Sequence, residues 1–355
     1  MYLYTKVNQK SNKKSQADNM NDNTSGKFII SLDFELMWGV RDVVSIESYG
    51  LHIKGVHTAI PKMLEIFKNY HVKATFAAVG FLFFRNKTEL MSGLPTRLPL
   101  YADNNLSPYG DYLAQHLGED RESDPYHFGN HLVELIKNTP GQEIATHTFS
   151  HYYCLEAGQT AADFEADLRA AIAVAEKRGI KLQSIIFPRN QVNEKYLQIC
   201  ADAGITNYRS NERSWIYEAR RWKKENIFRR SIRLLDAYIN MSGHHCYDDA
   251  HMKSSTPINI PSSRFLRPYT PRLRWFEKWR LRRIKRAMTH AAKNKLLYHL
   301  WWHPHNFGIN QDQNIAFLGQ ILSHYQELKR DYGFCNYTMA EFAQKLAGHN
   351  LPTAS

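Results

Sequence analysis

The sequence predicts an α/β fold built on a parallel sheet or barrel. Two observations carry this expectation. Short apolar strand candidates alternate with stretches of helical periodicity, and residues capable of chemistry gather at the C-terminal ends of those strands. In a barrel or open parallel sheet, sites are built at that edge.

Residues 1 to about 26 are polar and low in hydrophobicity, which predicts a disordered tail ahead of a single domain over 27–350. Phe28-Ile29-Ile30-Ser31-Leu32-Asp33-Phe34-Glu35 reads as a first buried strand. Its two carboxylates, two residues apart, share one face at the strand's end. Ala59 to Tyr70 has helical spacing, and Val72 to Val79 is a second strand candidate. Arg85 to Asn130 interrupts the rhythm with Pro95, Pro99, Pro108 and Pro125, predicting a long loop insertion over one end of the core, in the manner of a lid. The rhythm resumes with helix His131 to Lys137, strand Glu143 to Thr146, helix Ala161 to Arg178, strand Ser184 to Phe187, helix Asn193 to Ala203 and strand Ile205 to Tyr208. A second insertion is expected over about 209–295. Tyr298 to Trp302 is a late strand, followed by helices near Ile315 to Lys329 and Met339 to Leu346.

Composition narrows the function classes. The 355 residues are 43% hydrophobic and 13% aromatic, ordinary for a globular protein able to bury a large core. Cys154, Cys200, Cys246 and Cys335 form no Cys-x-x-Cys pair, so neither a disulfide framework nor a thiolate zinc site is indicated, and a reducing compartment is expected. The first thirty residues show no secretory leader, and the longest nearly apolar run, Ala74 to Phe84, is too short to span a bilayer. A cytoplasmic protein is expected, peripheral at the inner membrane face at most. The net charge of +12 is one local feature: 12 Lys and Arg lie between Arg264 and Lys295 against the single Glu277, leaving 34 basic and 33 acidic residues elsewhere.

His147 and His151, four apart after the third strand, have a metal-ligand spacing for a helical turn or tight loop. Thr148 stands where a zinc-peptidase helix carries its Glu, so a base must come from elsewhere. Other chemical residues follow the remaining strands: Asp33 and Glu35, then Pro188-Arg189-Asn190-Gln191, then His303-Pro304-His305-Asn306.

Taken in order, these blocks resemble the polysaccharide deacetylases of the NodB homology type, carbohydrate esterase family four, from about Lys27 to Gly308. Ser31-Leu32-Asp33-Phe34-Glu35 resembles that family's first motif, Ala74-Thr75-Phe76 its second-strand signature and His147-Thr148-Phe149-Ser150-His151 its metal motif. Phe187-Pro188-Arg189-Asn190-Gln191 resembles the arginine motif, and His299-Leu300-Trp301-Trp302-His303-Pro304-His305 the last histidine motif. The resemblance implies a distorted (β/α) barrel with fewer than eight strands. It also implies metal-dependent hydrolysis of an N-acetyl or similar N-acyl group on an amino sugar.

Carried over by position, Asp33 is the base, Arg189 its ion-pair partner, and His147 and His151 are metal ligands. His303 is the acid, preferred over His299 and His305 because the His-Pro step ends the strand. The first motif departs from the family's adjacent Asp pair, with Phe34 in the second place. Glu35 is therefore taken as third ligand, and the reverse assignment of Asp33 and Glu35 stays open. Trp301, Trp302, Asn190 and His305 are the expected substrate contacts, and Asp236 the candidate to orient the acid. One divalent ion is expected, zinc by ligand type, with Co2+, Ni2+ or Mn2+ also suited. Two rival functions remain: a binding protein of this fold that has lost catalysis, and a non-sugar amidohydrolase.

The basic segment 272–295 has helical spacing with Trp275 and Trp279 at its flank. It reads either as a barrel helix with a solvated face or as a peripheral contact with anionic membrane. Nucleic acid is not expected, for want of a recognition motif. With the missing leader, this segment suggests a lipid-carried or nucleotide-carried substrate in surface-polysaccharide assembly. The cluster Gly243-His244-His245-Cys246 with Asp248, Asp249 and His251 is too crowded in sequence to surround one ion readily.

Overall fold

A computed structural model of the chain describes residues 25–217, 227–249, 252 and 256–348. The expected tail, all but its last two residues, lies outside them. The first half of the chain contains β1 (Lys27–Phe34), α1 (Ile46–Asn69), β2 (Ala74–Ala78), α2 (Lys87–Ser92), α3 (Asp111–His116), α4 (Asn130–Lys137), β3 (Gln142–Thr146) and α5 (Ala161–Glu176). The second half contains β4 (Ser184–Ile186), α6 (Leu197–Asp202), β5 (Asn207–Arg209), α7 (Ile227–Asp236), β6 (Ile258–Asn259), β7 (Arg264–Phe265), α8 (Glu277–Lys293), β8 (Leu297–Trp302), α9 (Gln311–Tyr332), β9 (Cys335–Tyr337) and α10 (Met339–Gly348).

Every strand pair is parallel, in the order β6-β5-β4-β3-β2-β1-β8-β7, with β9 beside the first residues of β1. The two edge strands are neighbours in the chain. The run from Ile258 to Ser262 donates backbone N–H groups to the carbonyls of Thr206, Tyr208 and Ser210, whereas Ser263 and Leu266 donate to His299 and Trp301. One extended segment therefore bridges β5 and β8 and curls the sheet into a (β/α) barrel of the expected NodB type. The span expected as a second insertion, 209–295, thus holds β6, β7 and α8. The first, 85–130, carries α2 and α3 rather than unbroken loop.

Strand alternation sorts the side chains. Phe28, Ile30, Leu32 and Phe34 of β1 join the outer core under α1 and its neighbours, while Ile29, Ser31 and Asp33 point into the barrel. Toward the N-terminal end Ile29, Ala77, Ala145, Ile186 and Leu297 meet Met339, Phe342 and Leu346 of α10, which plugs that end, while Thr75 and Ser184 donate to Glu143 there. Higher up the interior is polar, with His299 Nε2 2.8 Å from Ser31 Oγ. The polar layer ends at the C-terminal edge, where the carboxylates lie.

α1 starts well before the expected Ala59, because Ser45 and Ser48 form a reciprocal capping box at its head. The basic segment is not one helix: Pro271–Phe276 is a 3-10 turn and α8 follows. No helix among the described residues is long and apolar enough to cross a membrane.

Candidate active site

Glu35 is the residue about which the site converges. It follows β1 at the head of a 3-10 turn, Leu36–Gly39, with Leu36 in the left-handed region at φ 47°. A Cβ on Gly39 would overlap the Glu35 carboxyl group, so only glycine leaves room for it. One carboxylate oxygen, Oε2, lies 3.4 Å from His147 Nε2 and 3.2 Å from His151 Nε2. The other, Oε1, lies 3.1 Å from His305 Nε2 and 3.8 Å from His303 Nε2. Burial pushes the Glu35 carboxyl up, yet His303, His147, His151 and His305 together hold it well below the usual carboxylate range.

His147 and His151 lie on a loop, not a helix. Thr148 at φ 63° and His151 at φ 60° fold the backbone back so that both rings meet Glu35. Two side chains hold that strained turn. The Thr148 hydroxyl donates to the His147 carbonyl at 2.6 Å and accepts from Tyr152 N–H at 2.7 Å. Asp167 of α5 accepts the Phe149 and Ser150 N–H groups at 2.7 and 3.1 Å, and the Ser150 hydroxyl.

The donor set suits a divalent ion. His147 Nδ1 lies 2.8 Å from the Ile186 carbonyl, which can only accept, so Nδ1 carries the proton and Nε2 offers its lone pair to the site. Burial pushes His151 down to about 4, against the pull of Glu35, keeping it in the neutral, ligating form. Tetrahedral ligands about 2.0–2.1 Å from an ion stand roughly 3.3–3.4 Å apart, close to the Glu35–His147 and Glu35–His151 separations above. Glu35, His147 and His151 offer three ligand atoms within 4.8 Å of one another, and so do Glu35, His303 and His305.

Asp33 sits beside this group in a different environment. Arg209, at the end of β5, donates to both of its oxygens at 2.7 Å, and also to Ser31 Oγ at 2.9 Å and Asn190 Oδ1 at 2.8 Å. Burial raises the Asp33 carboxyl, but Arg209, with His147 and His303, brings it below its ordinary value, so it is ionised at neutral pH. His303 Nε2 lies 3.7 Å from Asp33 Oδ2. With its side chain 24% exposed, His303 is the most open of the six groups, and the others are nearly sealed.

Several expected roles are corrected. Arg189 does not pair with Asp33. The backbone turns left-handed at Arg189 and Asn190, and sends the guanidinium to Asp42 and over the Tyr153 ring at 4.2 Å. Arg209 takes its place, one residue beyond the expected strand, at the inward position that alternates with Asn207. Trp302 makes no substrate wall: it is fully buried on the outer face of β8, between Phe67 and Phe307. Trp301 faces inward, half-buried, with Arg209 4.2 Å beneath its ring. Asn190 and His305 support Arg209 and Glu35, and Tyr49 O–H lies 2.9 Å from His305 Nδ1. Asp236 bonds Tyr217, Ser242 and Arg264, and none of its hydrogen bonds reaches His303. Among the described residues of the 243–251 cluster no ligand group forms, and His251 lies outside them.

Fold and site together define the NodB class of (β/α) barrels, with carboxylates and histidines clustered at the C-terminal strand edge. The polysaccharide deacetylase family model matches residues 48–208. Among solved structures, a candidate polysaccharide deacetylase from Mycobacterium smegmatis aligns with TM-score 0.58 and 13% identity, covering 93% of each chain. A second candidate deacetylase, from Pseudomonas aeruginosa PAO1, gives 0.52 and 11%, covering 92% of this chain and 91% of its own. The Puue allantoinase gives 0.52 and 10%, covering 94% of each. At such identities the likeness is one of fold. A search of curated proteins gave no match. The family supports a hydrolase acting on carbohydrate N-acetyl groups, and its members generally use a divalent metal.

Proposed function

We propose that the chain removes an N-acetyl, or similar N-acyl, group from an amino sugar, with one divalent ion held by Glu35, His147 and His151. The observation that carries this reading is the division of labour between two carboxylates a residue apart. Glu35 is ringed by imidazoles, whereas Asp33 is locked on a guanidinium and left ionised. That favours Glu35 as ligand and Asp33 as base.

A bound divalent ion polarises the amide carbonyl and acidifies a water molecule. Asp33, fixed by Arg209, takes the proton of the attacking water. His303, facing the opening, passes a proton to the departing amine, so that acetate and a free amine leave. Burial lowers the His303 imidazole, against the pull of Glu35 and Asp33, and once charged it gives up its proton readily. Trp301 offers a half-open ring at the mouth for a sugar face. Zinc is the ion favoured by a set of two imidazoles and one carboxylate. The substrate is an amino sugar of a surface polysaccharide or glycolipid under assembly, lipid-carried or nucleotide-carried, handled at the inner membrane face.

The test is metal content and acetate release, on a panel of acetylated amino sugars, for wild type, His147→Ala, Glu35→Ala and Asp33→Ala. Loss of metal in the first two variants, with metal kept but turnover lost in Asp33→Ala, is the expected pattern. Metal lost from Asp33→Ala and kept in Glu35→Ala would exchange the two roles. Stoichiometric metal without turnover on any sugar would favour a binding protein, and metal-free wild type would overturn the reading.

A further inference from the structure

α8 has a second charged face, away from the catalytic site. Arg280, Ile284, Ala287, Met288 and Ala291 are buried on its inner side, Arg280 over the Phe317 ring. On the other side Trp279, Arg282, Arg286 and Lys293 face Ile239 and His244 across a cavity of about 620 Å3. Among the described residues no Asp or Glu lines it. Its floor is Arg283, whose guanidinium donates to the Gly243 carbonyl and reaches Asp236 at 3.9 Å. Burial first, and then the neighbouring Arg264, push Arg283 down to about 10. Arg282 and Arg286 form no salt bridge among the described residues, and both are exposed.

Exposed apolar side chains accompany this cavity. Trp279 and Ile239 line it, and their chain neighbours Trp275 (76% exposed), Phe276, Leu235 and Met241 (55% exposed) are also open to solvent. Tyr238 and Phe276, with ring centroids 6.0 Å apart, join the two segments into one patch. Because β7 runs parallel to β1 through β8, the segment leaving it toward Pro271–Phe276 emerges at the C-terminal edge of the barrel. The patch and the Asp33–Glu35 site therefore share that edge.

We infer that this surface docks on an anionic phospholipid bilayer, the cavity receiving a phosphate headgroup while the apolar rim enters the interface. Tryptophan favours the headgroup level, and Lys and Arg are drawn to anionic lipid. A soluble phosphate would need no exposed rim. Single-stranded nucleic acid would use the aromatic rings for stacking, but not the aliphatic Leu235, Ile239 and Met241. Docking so would hold the catalytic mouth close to the membrane surface, and it stands whether or not the site deacetylates sugars.

The experiment is flotation of the full chain with phosphatidylcholine vesicles, with and without phosphatidylglycerol, at about 0.1 M salt. Binding to the anionic vesicles alone is expected, with a blue shift of tryptophan emission. Arg282→Gln with Arg286→Gln should weaken binding about fivefold per arginine. Trp275→Ala with Trp279→Ala should weaken it and remove the blue shift, while an unchanged Tm certifies folding. Variants that float like wild type, no flotation even at low salt, or tighter binding to single-stranded RNA than to vesicles would each overturn the inference.

Discussion

Arg209 is the residue whose loss best separates catalysis from assembly. It is buried and spends both terminal nitrogens on Asp33. Without it, burial is opposed only by the more distant charge of His147 and His303, and the Asp33 carboxyl rises. Arg209→Gln is thus expected to cut kcat about 10²- to 10³-fold, on the scale of removing a preorganised charge partner. The acidic limb of kcat/KM should also move to higher pH, with metal content unchanged. Arg189→Gln, which breaks the Asp42 pair and the Tyr153 contact, should leave that limb where it is. Equal pH profiles for the two variants would count against the pairing. Gly39 makes a second case. A methyl group there displaces the Glu35 carboxylate, so Gly39→Ala should retain the fold by circular dichroism yet lose bound metal as fully as Glu35→Ala.

At the scale of elements, the 85–130 segment holds the turn that aims Glu35. Asp124 accepts N–H groups from Gly118 and Tyr126 and pairs with His127 Nδ1 at 2.8 Å. Next in line, the His127 carbonyl accepts Trp38 Nε1–H at 2.9 Å, and the Tyr126 carbonyl accepts Met37 N–H at 3.0 Å. Burial opposes the Asp124 charge, but His127 and the two N–H groups bring its pKa below the ordinary value. A carboxyl depressed in the fold contributes stability above its unfolded pKa of about 3.9, and that contribution is lost as pH falls through the folded value. Asp124→Asn should cost roughly 1–3 kcal/mol at pH 7, a deficit in Tm that closes below about pH 4. A deficit independent of pH would mean the charge is not what matters. This clamp was invisible in the sequence, where its prolines and glycines announced only a loop. The strands were legible because apolar runs and helical periods alternate cleanly, and Asp33, Glu35, His147, His151 and His303 were legible because each follows such a run. Arg189 and Arg209 could not be told apart that way. Both closely follow expected strands, and what separates them is the left-handed turn at 189–190 and the inward phase of Asn207 and Arg209. Trp301 and Trp302 are likewise equivalent in the sequence, yet alternation sends one into the barrel and its neighbour into the outer core.

Across the whole molecule, the proposed ligands tie β1 to the loop after β3, while His303 and His305 bring the end of β8 to the same carboxylate. Among the described residues the barrel is bridged by the short run from Ile258 to Leu266, so contacts across its C-terminal edge weigh on how that edge holds together. A ligand that binds the folded chain and not the unfolded one stabilises it in proportion to the logarithm of its concentration over Kd, about 4 kcal/mol at a thousandfold excess. For a chain of this size that corresponds to a rise in Tm of about 5–10 °C. Zinc added to chelator-treated protein should give such a rise, and Glu35→Ala, His147→Ala and Gly39→Ala should abolish it. Asp33→Ala and Arg209→Gln should keep most of it, because their groups lie beside the ligand set and not in it. Adding zinc to His303→Ala distinguishes the two groups of ligand atoms around Glu35. An undiminished rise there puts the ion on the His147 and His151 side and leaves His303 free to act as the acid. A rise lost with His303 but kept with His147 would move the ion to the His305 side and take the acid role away from His303.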